Sequence, residues 1–213
     1  MQLVCPAGNL PALQAAIDAG ADAVYAGFRD QTNARAFPGL NFSDAELRQG
    51  IDHAHAHGRK VYLALNTYPD CARLDPWFAA VDKAAEYGCD AVIVAEMAVL
   101  DYAMRNHPQL HRHLSVQGSA TTAAALRYMH ERFGIHRAVL PRVLSIQQVE
   151  RMCANAPVPL EVFAFGSLCI MVEGRCQLSS YVTGASPNRH GVCSPARFVR
   201  WEEHDDGRRS GGQ

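Results

Sequence analysis

The chain has 213 residues, of which 48% are hydrophobic and 19% are charged, a composition that suits one folded domain with a sizeable core. Its 20 lysine and arginine residues nearly balance its 21 aspartate and glutamate residues, which excludes a strong general attraction to nucleic acid. No apolar run approaches the roughly 18 residues of a membrane span, and Met1–Asn9 lacks the features of a targeting segment. We therefore expect a cytoplasmic protein.

Short β-branched runs alternate with amphipathic stretches along the chain, which predicts alternating strands and helices. The predicted strands are Gln2–Cys5, Ala23–Ala26, Lys60–Leu65, Ala91–Ala95, Leu114–Gln117, Ala138–Leu140 and Leu160–Ala164. The predicted helices are Leu10–Ala19, Asp44–His57, Pro76–Tyr87, Met97–Asn106, Thr121–Phe133 and Ser145–Ala154.

The sequence Gly20-Ala-Asp-Ala-Val is echoed by Gly88-Cys-Asp-Ala-Val, and both lead from a helix into a strand. Repeated βα units predict parallel strands with right-handed crossovers, in a doubly wound sheet or a (β/α) barrel. We favour an α/β fold of the TIM-barrel type, because the units follow one another regularly and no Gly-x-Gly-x-x-Gly follows the first strand. No eighth strand is visible, so we predict a barrel that is incomplete or open in this chain.

The predicted organisation has three parts. Residues 1–166 form the barrel-like domain, and residues 167–201 form a cysteine-bearing loop region. Residues 202–213 are polar and glycine-rich, and we expect a disordered tail there.

Cys169, Cys176 and Cys193 follow the last predicted strand with the spacing Cys-x6-Cys-x16-Cys. In a barrel, this position is the C-terminal face, where active sites gather. Thiolates select zinc, copper(I) or iron–sulfur clusters, and the tight Cys-x2–4-Cys knuckle typical of structural zinc is not present. We favour a metal centre, while inert structural thiols and disulfide redox chemistry remain open alternatives.

The remaining cysteines and the histidines carry weaker signals. Cys71, Cys89 and Cys153 are interpreted as structural, whereas Cys5 ends the first predicted strand and could be a fourth ligand or line the pocket. His53 and His57 share a helix face and could bind a metal, but we favour solvated side chains near a helix C-terminus. His111 and His113 are predicted in a loop, with no third ligand identified.

Several longer motifs resemble one known family. They are Cys5-Pro-Ala-Gly-Asn-Leu, Gly20-Ala-Asp-Ala-Val-Tyr, Thr32-Asn-Ala-Arg, Leu40-Asn-Phe, Val139-Leu-Pro-Arg-Val-Leu-Ser-Ile, Pro159-Leu-Glu-Val-Phe-Ala-Phe-Gly-Ser-Leu-Cys-Ile-Met, Glu173-Gly-Arg-Cys and Cys193-Ser-Pro-Ala-Arg-Phe-Val-Arg-Trp. Over about residues 1–201, the chain resembles the collagenase-like peptidase family. Within that family, it is similar to members that serve the oxygen-independent hydroxylation of bacterial ubiquinone biosynthesis.

This resemblance implies a barrel-like fold and a [4Fe–4S] cluster, with Cys169, Cys176 and Cys193 matching three of the family's four ligands. The fourth ligand has no counterpart in this sequence. The resemblance also implies a heterodimer with the iron–sulfur subunit UbiV, and an accessory lipid-binding partner, UbiT. The implied substrates are a ubiquinone precursor and prephenate, the latter as the hydroxyl donor.

Polar residues just past the predicted strand ends are candidate substrate-binding groups. Arg35 and Arg142 could hold a dicarboxylate such as prephenate through forked hydrogen bonds. The alternative is that these arginines cap helices or pair with Glu96 and Glu161. The complete predicted set is Asn33, Arg35, Asn41, Asn66, Gln117 and Arg142.

Two other functions stay open. A peptidase is suggested by the family name, but neither His-Glu-x-x-His nor Gly-x-Ser-x-Gly occurs. A non-catalytic iron–sulfur scaffold is also possible, in which a cluster shapes a partner interface. Related hydroxylation factors act on RNA, yet no basic stripe in this sequence favours that substrate.

Overall fold

The computed structural model describes residues 1–36, 39–166, 173 and 176–190 of the chain. The predictions made for Cys169, for Cys193 and for the tail at residues 202–213 lie outside the described residues. Within the described part, no helix is long and apolar enough to cross a membrane.

Seven parallel strands form one sheet in sequence order, and helices connect them. The strands are Val4–Pro6 (β1), Ala23–Ala26 (β2), Lys60–Leu65 (β3), Ala91–Val94 (β4), His111–Leu114 (β5), Arg137–Val139 (β6) and Leu160–Glu161 (β7). The helices are Leu10–Asp18 (α1), Asp44–Ala56 (α2), Asp75–Tyr87 (α3), Met97–Asn106 (α4), Ala123–Phe133 (α5), Ile146–Asn155 (α6), Gln177–Thr183 (α7) and Pro187–His190 (α8).

The sheet is curled, because side chains of non-adjacent strands meet inside it. The rings of Tyr62 on β3 and His113 on β5 pack edge to face with centroids 4.7 Å apart. The guanidinium of Arg137 on β6 lies 5.7 Å from the Tyr62 ring centroid and also donates to the Gln2 side chain before β1. Since β1 pairs with β2 and β7 pairs with β6, the barrel stays open between β1 and β7. The predicted open, TIM-barrel-like α/β fold is confirmed.

Alternation along the strands separates two layers of side chains. The outward-facing residues form the main core between sheet and helices, where Val24, Leu63 and Val92 are fully buried. The inward-facing residues form a smaller cluster that includes Ala23 and Tyr62. The interior of the half-barrel therefore carries aromatic and polar groups, while most apolar burial lies beneath the helices.

Local capping signals fix the helix ends. Ser43 and Glu46 form the reciprocal hydrogen bonds of a capping box at the start of α2. Gly88 ends α3 with a φ of 82°, a left-handed conformation that favours glycine. The parallel order of the strands brings the loops that follow them together at one face of the sheet, which we call the mouth.

The position of β5 corrects the sequence analysis. The predicted strand Leu114–Gln117 was wrong, because β5 covers His111–Leu114 and a 3₁₀ turn follows at Val116–Gly118. His111 and His113 therefore lie in a strand and not in a loop. The physical reason is Arg112, which is 5% exposed and satisfies its guanidinium with the carbonyl oxygens of Leu110, Phe133 and Gly134. A buried charge is tolerated when its donors are paired in this way.

Candidate active site at the mouth of the half-barrel

Two buried asparagines organise the loop that follows β2. Asn33 Nδ2 donates to Asn41 Oδ1 at 2.8 Å, and Asn41 Nδ2 donates to the carbonyl oxygen of Arg35 at 2.7 Å. Asn33 Oδ1 accepts the backbone N–H of Arg35 at 3.0 Å. A Cβ atom at Gly27 would lie 2.1 Å from Asn33 Nδ2, so the chain requires glycine there. The asparagine side chains therefore hold the backbone of Arg35 from both sides.

The end of β3 supports the same loop. Asn66 Oδ1 accepts the backbone N–H of Ala34 at 2.9 Å, and Thr67 Oγ1 donates to the carbonyl oxygen of Gln31 at 2.6 Å. The exposed Arg35 guanidinium forms no hydrogen bond or ion pair within the described part of the chain. Its position is thus fixed through the backbone, while its charge stays free to meet a ligand.

Tyr25 lies near the carboxyl end of β2 and packs against the inward-facing cluster, and sequence reasoning missed it. Burial raises the pKa of its phenol, while the charges of Arg35 and Arg142 lower that pKa and those of Glu161 and Cys5 raise it. The four charged or titratable groups lie on β1 and β7 and in the segments after β2 and β6, near enough to act on the charge of the phenol. A tyrosine hydroxyl is protonated at neutral pH, and the raised pKa only extends that range, so the Tyr25 hydroxyl can donate a hydrogen bond.

Arg142 forms a buried ion pair that the sequence analysis did not anticipate. Glu173 Oε1 accepts from Arg142 Nε at 2.8 Å and from the Arg142 backbone N–H at 3.0 Å, and the Glu173 side chain is 0% exposed. The two glutamates proposed from the sequence as alternative partners of the arginines make other contacts. Glu96 caps α4 through the N–H of Val99, and Glu161 pairs with Arg137.

This ion pair anchors the cysteine-bearing segment beside the mouth. Glu173 lies three residues before Cys176 in sequence, and its carbonyl oxygen also accepts from Ser119 Oγ at 3.1 Å. Glu173 Oε2 and Gln117 Oε1 are both buried without a hydrogen-bond partner among the described residues. A buried acceptor without a hydrogen bond costs free energy, so a donor group from a ligand or a water molecule would stabilise this position.

Cys176 is the predicted ligand that the structure describes. Its partly buried thiol donates to Ser179 Oγ at 3.1 Å, and its sulfur accepts the Ser179 N–H at 3.4 Å. Hydrogen bonds to sulfur tune metal-bound thiolates, so this environment fits a cluster ligand. Cys5 packs against the core between sheet and helices, opposite Val24 of β2, so it does not line the interior of the half-barrel. Cys169 and Cys193 lie outside the described residues.

The comparisons with known proteins agree with this architecture. The family model described as Peptidase family U32 matches residues 8–209. The chain is 34% identical to tRNA hydroxylation protein P of Escherichia coli, covering 94% of this chain and 43% of that protein. It is 30% identical to the 23S rRNA 5-hydroxycytidine synthase of Escherichia coli, covering 97% of this chain and 30% of that protein. The chain thus spans less than half the length of either relative.

A solved structure shares the fold. A solved structure of a U32 peptidase superposes with a TM-score of 0.62 at 16% identity, covering 76% of this chain and 68% of the other. This likeness concerns the fold alone.

Proposed function

Because the chain belongs to peptidase family U32, we propose that it is the iron–sulfur subunit of an oxygen-independent hydroxylase. The observation that carries the proposal is the Arg142–Glu173 pair, which ties the segment of Cys176 to a mouth bearing two arginines. The names of the two hydroxylation relatives support hydroxylation as the reaction class.

We further propose that the substrate is a ubiquinone precursor ring, with prephenate as the hydroxyl donor. The 20 lysine and arginine residues are balanced by 21 acidic residues, and this net charge of −1 suits a small anionic ligand better than a polynucleotide. In this role the chain acts as the UbiU subunit does, paired with UbiV and served by UbiT.

Cys169, Cys176 and Cys193 would hold the [4Fe–4S] cluster, which supplies electron-transfer chemistry that protein side chains lack. Arg35 and Arg142 would bind the carboxylates of prephenate, and the protonated Tyr25 hydroxyl would donate to a ligand oxygen between them. The asparagine network of the loop after β2 would keep Arg35 in place.

RNA hydroxylation is the second candidate, favoured by the names of the relatives. Peptide hydrolysis is suggested by the name of the solved U32 structure. A non-catalytic scaffold would use the cysteines only to shape the partner interface. These functions differ in what they require, so one set of assays separates them.

The test is an anaerobic reconstitution of the protein with UbiV, UbiT, prephenate and a ubiquinone precursor, read by mass spectrometry. We expect a product with one added oxygen, lost in Cys176→Ser and retained in Cys153→Ser. Modified RNA in parallel reactions would favour the second candidate. Cleavage of denatured collagen by iron-free protein would favour a peptidase, and full hydroxylation with all three cysteines changed to serine would exclude a role for the cluster.

A further inference from the structure

Two histidines and an aspartate meet at the end of the barrel opposite the mouth. Asp18 is the last residue of α1, while His53 lies in the last turn of α2 and His57 is its C-cap. Both helices run from the carboxyl end of one strand to the start of the next, so their C-terminal ends lie on the N-terminal face. This cluster is therefore separate from the cysteine segment.

The three potential ligand atoms are close enough to share one ion. Asp18 Oδ1 lies 3.0 Å from His53 Nε2 and 4.0 Å from His57 Nε2, and all three atoms fall within 4.8 Å of one another. A tetrahedral zinc ion with bonds of about 2.0–2.1 Å separates its ligands by about 3.4 Å. The observed distances lie on either side of that value, so small side-chain rotations suffice.

The orientation of His57 is compatible with metal coordination. Its Nδ1 contacts the carbonyl oxygen of His53 at 2.8 Å, and only a protonated Nδ1 can donate to that oxygen. In the neutral ring this bond leaves the lone pair on Nε2, the atom that faces Asp18. A backbone carbonyl that orients an imidazole in this way is the usual second contact of a histidine ligand.

Helices α1 and α2 pack closely against each other near the cluster. A Cβ atom at Gly50 of α2 would lie 2.8 Å from Leu13 Cδ1 of α1, so the two helices approach closely at this glycine. Asp18 also places a carboxylate at a helix C-terminus, where the macrodipole disfavours negative charge. A cation bound between the helix ends would offset that unfavourable contact.

We propose that Asp18, His53 and His57 bind a divalent transition-metal ion that links the ends of α1 and α2. Two imidazoles and one carboxylate are a ligand set that zinc accepts, with water completing the tetrahedron at this exposed position. The site does not depend on the proposed hydroxylase function. Its consequence is a metal-dependent gain in stability, because the ion binds the folded chain and not the separated helices.

The test is a titration of the full chain with Zn²⁺, followed by the histidine ring signals in ¹H–¹⁵N NMR spectra. This readout identifies the binding residues even if thiols elsewhere also take up zinc. We expect the ring signals of His53 and His57 to shift together. His55 is the matched control, since it lies on the same helix and contacts Asp90 without a second imidazole.

Variants sharpen the result. His57→Ala and Asp18→Asn should weaken zinc binding at this site by about tenfold or more, while His55→Ala should not. Zinc should raise the melting temperature of the wild type more than that of His57→Ala. The proposal is overturned if the His53 and His57 signals stay unmoved by zinc in excess over all thiols, or if His55→Ala weakens binding as much as His57→Ala.

Discussion

The Glu173 carboxylate accepts two hydrogen bonds from Arg142, one from its side chain and one from its backbone. The two residues are 31 positions apart, and their contact joins the end of β6 to the cysteine-bearing segment. The ring of Phe163 lies 4.9 Å from the Arg142 guanidinium and adds a cation–π contact. One buried carboxylate thereby fixes Glu173, three residues before Cys176 in the sequence, to the segment that follows β6.

Glu173→Gln should lower the free energy of unfolding by about 3 kcal/mol, because it leaves the largely buried Arg142 without a counter-charge. Urea unfolding followed by circular dichroism measures the change. Glu86→Gln is the matched control, since Glu86 pairs with Arg48 on the exposed surface and should cost less than about 1 kcal/mol. Equal losses in the two variants would mean that the Glu173 contact has no special structural role.

Arg35→Gln should weaken prephenate binding by about tenfold, because it removes one of the two positive charges beside Tyr25. Isothermal titration calorimetry measures the affinity directly. Arg132 is exposed in the last turn of α5, so Arg132→Gln controls for the loss of one positive charge. Unchanged affinity in Arg35→Gln would remove Arg35 from the proposed ligand site.

Asn41 combines a left-handed backbone, with a φ of 71°, and two side-chain hydrogen bonds. Asn41→Gly loses the hydrogen bonds but tolerates the backbone, whereas Asn41→Ala loses the bonds and adds backbone strain. We expect unfolding free energies to fall in the order wild type, Asn41→Gly, Asn41→Ala, with about 1 kcal/mol between the variants. An alanine variant as stable as the glycine variant would show that the backbone is not constrained.

His113 should make folding sensitive to acid. Burial, with a further contribution from Arg137, lowers its pKa from 6.5 to about 3. Between these values the unfolded chain binds a proton that the folded chain does not, so stability is lost as the pH falls through this window. The slope is at most about 1.4 kcal/mol per pH unit for one group.

Urea unfolding at several pH values between neutrality and mild acid checks this expectation. His113→Asn removes the titrating group, so its stability should fall less steeply with decreasing pH than that of the wild type. Parallel slopes would show that His113 is not the group responsible.

The sequence predicted the fold well where strands are apolar and buried. Lys60–Leu65 was predicted with its observed bounds, because the five residues after Lys60 are hydrophobic and all buried. The prediction was wrong at β5, whose sequence His-Arg-His-Leu resembles a polar loop. Only the hydrogen-bond partners of Arg112 explain why this polar segment is a buried strand. β7 is shorter than predicted and ends at Glu161.

The candidate site could be predicted only in part, for a related reason. Asn66 and Arg142 were predicted as binding groups because parallel strands end at one face, and their binding role stays a prediction. Tyr25 was missed because its position on an inward face shows only when the sheet is curled. The contact of Arg142 with Glu173 was missed because no local pattern links residues on separate segments.

The most direct test of the proposed function is the iron and sulfide content of anaerobically purified protein, compared between the wild type, Cys176→Ser and Cys153→Ser. The wild type should hold about four irons and as many sulfides, with broad absorption near the blue. Cys153 is exposed, so Cys153→Ser should keep this content, while Cys176→Ser should lose most of it. Wild-type protein without iron and sulfide, or a Cys176→Ser variant with undiminished iron, would contradict the iron–sulfur assignment.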